Sequence, residues 1–137
     1  MPKLAAFVGH SFLQDDKFLI REFLDYFDLV KGMGIGFTWD HAEPAEPKEL
    51  SEKVKRVIQG KNLFIGICTR RERSIENSKL ASTFFRAGLK GKPEDFDWKA
   101  SDWIIQEIGL AIGRGMELMI LLEDGVRRPG GLQGDHE

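Results

Sequence analysis

Leu63-Phe-Ile-Gly-Ile-Cys68 runs for six residues without a polar side chain. A strand with one wet face alternates apolar and polar residues, so an unbroken apolar run of this length predicts a strand covered on both sides. Sheets of that kind are parallel and carry helices on each face. Leu4-Ala-Ala-Phe-Val8, ending at Gly9, reads as a first buried strand. Ile35-Gly-Phe-Thr-Trp39 reads as a second, weakened by its glycines, and Glu117-Leu-Met-Ile-Leu-Leu122 as a fourth.

Helical rhythm fills the intervals. Leu19, Phe23, Tyr26, Phe27 and Val30 mark one amphipathic segment, and Lys31-Gly32 supplies a basic last turn and a glycine stop. Ser11-Phe-Leu-Gln14 has the form of a capping box ahead of it, followed by Asp15 and Asp16 at the positive end of the helix. Leu50, Val54, Val57 and Ile58 mark a second helix closed by Gly60. Ile104, Ile108, Ala111 and Ile112 mark a third within Ser101–Gly113. Strands alternating with helices predict an α/β fold, a flavodoxin-like three-layer sandwich around a central parallel sheet. Four strands are visible, and the chain passes into the loop after Asp124 where a fifth would follow. The 137 residues fit one domain, 1–137, read as whole or as the N-terminal part of a longer protein.

Residues 70–100 form an extended insertion. A structureless connection of that length is improbable in a compact domain. The stretch from Ile75 to Leu89, with Leu80, Phe84 and Phe85, predicts a helix, broken by Gly88, Gly91 and Pro93. Such an insertion suits either a lid over the site or a replacement for a contact surface.

Composition removes several classes of function. The net charge is −2 with acids and bases well mixed, which gives no bulk attraction for nucleic acid. No apolar run approaches the ~18 residues of a membrane span. Gly9-His10 interrupts the N-terminal apolar stretch too early for a signal peptide. The single Cys68 lies in an apolar run and reads as a reduced core residue, which favours the cytoplasm. His10, His41 and His136 are scattered, and no metal site is expected. There is no Walker loop, and Gly32-Met-Gly34-Ile-Gly36 has the wrong spacing for a dinucleotide fingerprint and leads into a strand. The first and third strands end in Gly-His-Ser and Thr-Arg-Arg, where a phospho-receiver carries acids.

Ligands of open parallel sheets collect at the carboxyl ends of strands. Here those ends are Gly9-His-Ser-Phe12, Trp39-Asp-His41, Thr69-Arg-Arg71 and Glu123-Asp-Gly125. The third helix begins at the same rim, and Trp103 and Glu107 lie four apart on it, on one stripe. That stripe is rotated about 100° from the apolar one, at the edge of the buried face. An indole wall beside an acid there suits a nucleotide sugar, and a packed Trp beside a solvated Glu is the plainer reading. Ser11 is placed to cap the first helix. A nucleophilic role needs a paired base, and the adjacent His10 points away from it in an extended segment.

These residues together resemble the Toll/interleukin-1 receptor (TIR) domain family, particularly its bacterial members. Phe7-Val-Gly-His-Ser-Phe12 is similar to the family's first-strand motif, and Asn62–Thr69 to its third strand. Asp40–Lys48 stands where the BB loop lies, and Trp103-Ile-Ile-Gln-Glu107 matches the Trp-x-x-x-Glu motif. The resemblance covers nearly the whole chain. The segment 70–100 is longer than in many members, and the family's last strand and helix have no counterpart.

The resemblance implies cleavage of NAD+ at the nicotinamide–ribose bond, with Glu107 as the catalytic residue and NAD+ as substrate, so that no separate cofactor is needed. The products are nicotinamide with ADP-ribose or a cyclic ADP-ribose. It also implies activation by self-association, an attached or partner sensor domain, and a part in bacterial antiviral defence. Substrate contacts fall to Gly9, His10, Ser11, Phe12, Trp39, Asp40, Arg70 and Trp103. For Phe12, Trp39 and Trp103 core packing stands beside ligand contact, and for Arg70 and Arg71 a solvated loop stands beside a pyrophosphate. Asp40 and Glu43 shape the BB loop. The alternative is a non-catalytic TIR scaffold that assembles through that loop. A nucleoside deoxyribosyltransferase-like enzyme is the third possibility.

Overall fold

The computed structural model describes residues 3–42, 47–82 and 89–129. Its centre is a parallel sheet of four strands, β1 (Leu4–Gly9), β2 (Phe37–His41), β3 (Leu63–Cys68) and, after four short strands, β8 (Glu117–Leu122). Their order is β2-β1-β3-β8, every pair parallel. Helix α1 (Lys17–Gly32) packs on one face, and α2 (Pro47–Val57) and α3 (Asp102–Gly113) on the other. The arrangement is the flavodoxin-like sandwich that the strand–helix alternation predicts. No helix among the described residues is long and apolar enough to cross a membrane.

Strand alternation divides the core in two. Ala6, Val8, Ile65 and Ile67 face α1 and meet Ile20, Leu24 and Phe27. Phe7, Phe64 and Cys68 face the other way and meet Val54, Ile58, Ile104, Ile108 and Ala111. All six residues of β3 are buried, as a strand covered on both faces requires. Cys68 is a buried free thiol.

Three local expectations change. Ser11 Oγ accepts from Leu13 N at 3.0 Å, a tight Ser turn, and a 3₁₀ turn over Gln14–Asp16 precedes α1. The capping-box geometry is therefore not made, and the helix starts at Lys17. The buried stripe of α1 falls on Ile20, Leu24 and Phe27, leaving Leu19 and Tyr26 exposed. α1 has apolar residues on both sides of that stripe, so periodicity alone left its phase ambiguous. β2 begins and ends two residues later than its pattern suggests, which brings Asp40 and His41 into the sheet.

The insertion differs most. Where a helix was expected from Ile75 to Leu89, the described residues form a 3₁₀ turn over Asn77–Lys79 and the short strands β5 (Ala81–Ser82) and β6 (Leu89–Lys90), paired antiparallel. The helix positions Phe84 and Phe85 lie outside the described residues. Around that hairpin, β4 (Glu72–Ser74) pairs antiparallel with β7 (Asp97–Lys99). Arg73 lies over the rings of both Phe96 and Trp98. Pairing between segments some 25 residues apart outweighs local helical preference here. Trp98 also bridges to Val126, and Arg127 N donates to Trp98 O at 2.9 Å, so the insertion is fastened to the turn after β8.

Candidate active site

α3 is set by its N-cap. Ser101 Oγ accepts from Ile104 N at 3.2 Å, and Asp102 in the first turn pairs with Lys99. From this fixed start the buried residues are Ile104, Glu107, Ile108 and Ala111, while Ile112 is 47% exposed. Glu107 thus sits within the apolar stripe at i+3 from Ile104, and not at its edge. It is only 5% exposed.

The carboxylate comes to rest against the end of β1. A Cβ built on Gly9 would stand 2.5 Å from Glu107 Oε2 and 2.9 Å from the Phe64 ring. Only glycine leaves room for the acid at this point. The location is the junction of β1 and β3, where the strand order reverses and where ligands bind in sheets of this order. Oε2 has no hydrogen-bond partner, and Glu107 takes part in none of the ion pairs among the described residues. Burial therefore pushes its pKa up to about 8, against a small opposing pull from the Trp103 indole. That indole N–H is close enough to favour the anion but makes no hydrogen bond of normal geometry. The neighbouring Cys68 thiol is pushed up to about 11, first by burial and then by the charge of Glu107.

The opposite flank of Gly9 is wet and holds the histidines. Val8 pairs with His41 across the sheet, so the turn after β1 runs beside the end of β2. His10 Nε2 lies 2.8 Å from His41 Nδ1, and His10 Nδ1 lies 2.8 Å from Ser11 O. Phe12 stands edge-on to His10 and is 39% exposed. An open hollow of about 900 Å³ lies over this flank, lined by His10, Phe12, Lys17, Phe18, Arg21 and His41 among others. A second, of about 480 Å³, lies between the end of β2 and α2, with Asp40, His41, Lys53 and Arg56 in its wall. Glu107 lines neither hollow.

The remaining expected contacts divide. Trp39 Nε1 donates to Asp28 Oδ1 at 3.0 Å and its ring packs on Phe27, which is the core alternative. Asp40 Oδ1 accepts from His41 N at 2.8 Å. Arg70 is engaged elsewhere: its guanidinium donates to Asp124 O at 2.9 and 2.5 Å, approaches Glu123 at 3.7 Å and lies over Trp98. It serves as a clamp between β3 and the turn after β8. Arg71 is exposed and its backbone N donates to Lys99 O. Glu43 lies outside the described residues. His41 is the residue the sequence reading left without a role. Its signal was its spacing of two from Trp39, which keeps both on one face once the strand extends that far.

Comparison of the chain with protein-family models, with curated proteins and with solved structures finds no match in any of the three.

Proposed function

We propose that this chain is a TIR-like enzyme that cleaves NAD+ at the nicotinamide–ribose bond, with Glu107 as the catalytic carboxylate. The observation that carries the reading is a buried acid with an unpartnered oxygen, held against a glycine at the switch point of the sheet. Keeping such a group costs stability, and sites that keep one are enriched in function. Trp103 and Glu107 stand in the motif spacing on the helix that meets this point.

The chemistry asks for little more than this acid. Nicotinamide departs as a neutral pyridine, taking the electron pair of the glycosidic bond from an already cationic ring, so no general acid is required. Positive charge then develops on the ribose, as in other glycosyl transfers. A preplaced carboxylate in a dry site stabilises that charge strongly. Burial holds Glu107 largely protonated at neutral pH in the resting protein. A cationic nicotinamide riboside alongside favours the anion, so substrate itself drives off the proton. Glu107 lines neither hollow, so this reading requires the wall at Gly9 and Trp103 to open for the ribose to reach it. Water as acceptor gives ADP-ribose, and a purine nitrogen of the same molecule gives a cyclic product.

A scaffold reading has one observation in its favour. α1, with Met33 just after it, presents Phe18, Tyr26, Leu29 and Met33 to solvent, each at least 60% exposed, a surface suited to association.

The test is incubation of clustered protein with NAD+ and chromatography of the products. The reading expects release of nicotinamide, and loss of at least about a hundred-fold in rate for Glu107→Ala. An unchanged NAD+ peak with folded, clustered wild-type protein would overturn it in favour of the scaffold.

A further inference from the structure

The His10–His41 contact has only one arrangement of protons when both rings are neutral. Ser11 O is a carbonyl and only accepts, so His10 Nδ1 carries the proton of that bond. His10 Nε2 is then a lone pair, and His41 Nδ1 must donate to it. The remaining nitrogen, His41 Nε2, has no protein partner among the described residues, and the His41 ring lines both hollows. Adding one proton at His41 Nε2 leaves every bond of the relay intact and turns an acceptor into a charged donor. A proton on His10 instead would reverse that bond, with His10 Nε2–H donating to His41 Nδ1. It would also place charge on a ring that is 8% exposed, whose pKa burial already lowers. The deeper burial of His10 thus favours His41 as the ring of the pair that carries a positive charge.

The surroundings favour an anion there. From α1, Lys17 and Arg21 face the larger hollow; from α2, Lys53 and Arg56 face the smaller one. Arg21 also pairs with Asp25 on its outer side at 3.5 Å. The acids nearby keep their charge but are turned toward neutral donors. Asp40, from β2, accepts from the His41 backbone; Asp16, ahead of α1, accepts from Thr69 Oγ1 at 2.9 Å; and Asp28 accepts from Trp39. Among the described residues, four cations thus line the two hollows that share His41, with Asp40 as the one acid in their walls.

We infer that this rim is a phosphate subsite, in which His41 Nε2–H, backed by His10, meets a phosphate oxygen of a nucleoside diphosphate moiety. The inference rests on the NAD+ reading for the identity of the ligand, since it places the pyrophosphate on the open flank of Gly9 and the nicotinamide ribose on the Glu107 flank. It predicts that diphosphate binding is coupled to uptake of a proton by His41, because the anion stabilises the charged ring.

ADP tests it without turnover, because ADP lacks the bond to be cleaved and the cationic ring that would act on Glu107. Calorimetric titration of the full chain at about pH 7.5, above the ordinary range of histidine, in two buffers of different ionisation enthalpy reads both affinity and protons. The expected result is uptake approaching one proton per ADP, retained in Glu107→Gln. In His41→Gln the uptake vanishes and affinity falls about ten-fold, as for loss of a charge-assisted hydrogen bond. His41→Lys, which carries a fixed charge, binds ADP without uptake and shows that the rim is still folded. Adenosine binding as tight as ADP, no ADP binding by folded wild-type protein, or undiminished uptake in His41→Gln would each overturn the inference. ADP binding with His41-dependent uptake in a protein that leaves NAD+ intact would refute the glycohydrolase reading and keep this one.

Discussion

The two flanks of Gly9 treat ionisable groups in opposite ways. On the α3 flank a single acid is buried beside Phe64, Cys68 and Ile108, with an unpartnered oxygen and outside both hollows. On the α1 flank two imidazoles are hydrogen-bonded to each other and open onto a wide hollow edged by Lys17 and Arg21. The dry flank stores free energy in an uncompensated group, and the wet flank spends almost none. A site that must both hold a charged dinucleotide and break one of its bonds is well served by this division. Binding wants hydrated, adjustable cations, and charge stabilisation in the transition state wants a fixed acid in a low dielectric.

The division can be broken most forcefully at the glycine itself. Gly9→Ala puts a methyl group into Glu107 Oε2 and the Phe64 ring. Overpacking of this kind costs about 1–3 kcal/mol. Displacing the acid should lower NAD+ turnover about a hundred-fold, while ADP binding on the far flank changes far less. Denaturant unfolding and calorimetry on the same preparation check both halves.

The pH dependence sharpens the comparison. If ionised Glu107 is required, kcat/KM should fall about ten-fold per pH unit below a free-enzyme pKa of about 8. The kcat profile should break at lower pH, because the cationic substrate favours the anion. A flat kcat/KM profile from pH 6 to about 8 would remove Glu107 from the chemistry.

A smaller effect is expected at the fastening of the insertion. Trp98→Ala removes the ring on which Arg70 and Arg73 lie and which meets Val126. A loss of about 1–2 kcal/mol, with faster amide exchange in Glu72–Lys99, is the expected outcome. The smallest is Arg21→Ala, whose ion pair with Asp25 is largely solvated. Stability should move by less than about 0.5 kcal/mol, whereas ADP affinity should fall measurably.

Burial on both faces was legible in Leu63–Cys68 because a strand covered twice leaves no polar position. The third helix was legible because Ile104, Ile108 and Ala111 keep helical spacing. The site was legible in part. Spacing put Trp103 and Glu107 on one stripe, but the depth of Glu107 depends on the roll of α3 against β1 and β3. That roll is permitted by Gly9, whose missing side chain admits the acid. No local signal in the helix carries that information. His41 was given no role because strand β2 was ended at Trp39, and a shift of two residues moves a loop histidine into the ladder opposite Val8. Arg70 was legible as a cation at the rim, but its partners at Asp124 and Trp98 are distant in sequence and took it out of the cleft. The insertion was misread for a similar reason, since its strands pair with each other at long range.

One substitution bears on the centre of the account. Glu107 binds its proton in the folded state up to a pKa of about 8 and sheds it near 4.5 when unfolded. Its contribution is therefore intact below about pH 4.5 and is lost progressively as pH rises to about 8. Glu107→Gln, which keeps the shape and cannot ionise, should be more stable than wild type at pH 7, by on the order of 2 kcal/mol. Thermal unfolding and NAD+ turnover of the clustered protein, measured on the same Glu107→Gln sample, give the decisive pair. A raised melting temperature with turnover abolished is the predicted result. Turnover retained, or a lowered melting temperature, would contradict the claim that this buried acid is kept for chemistry.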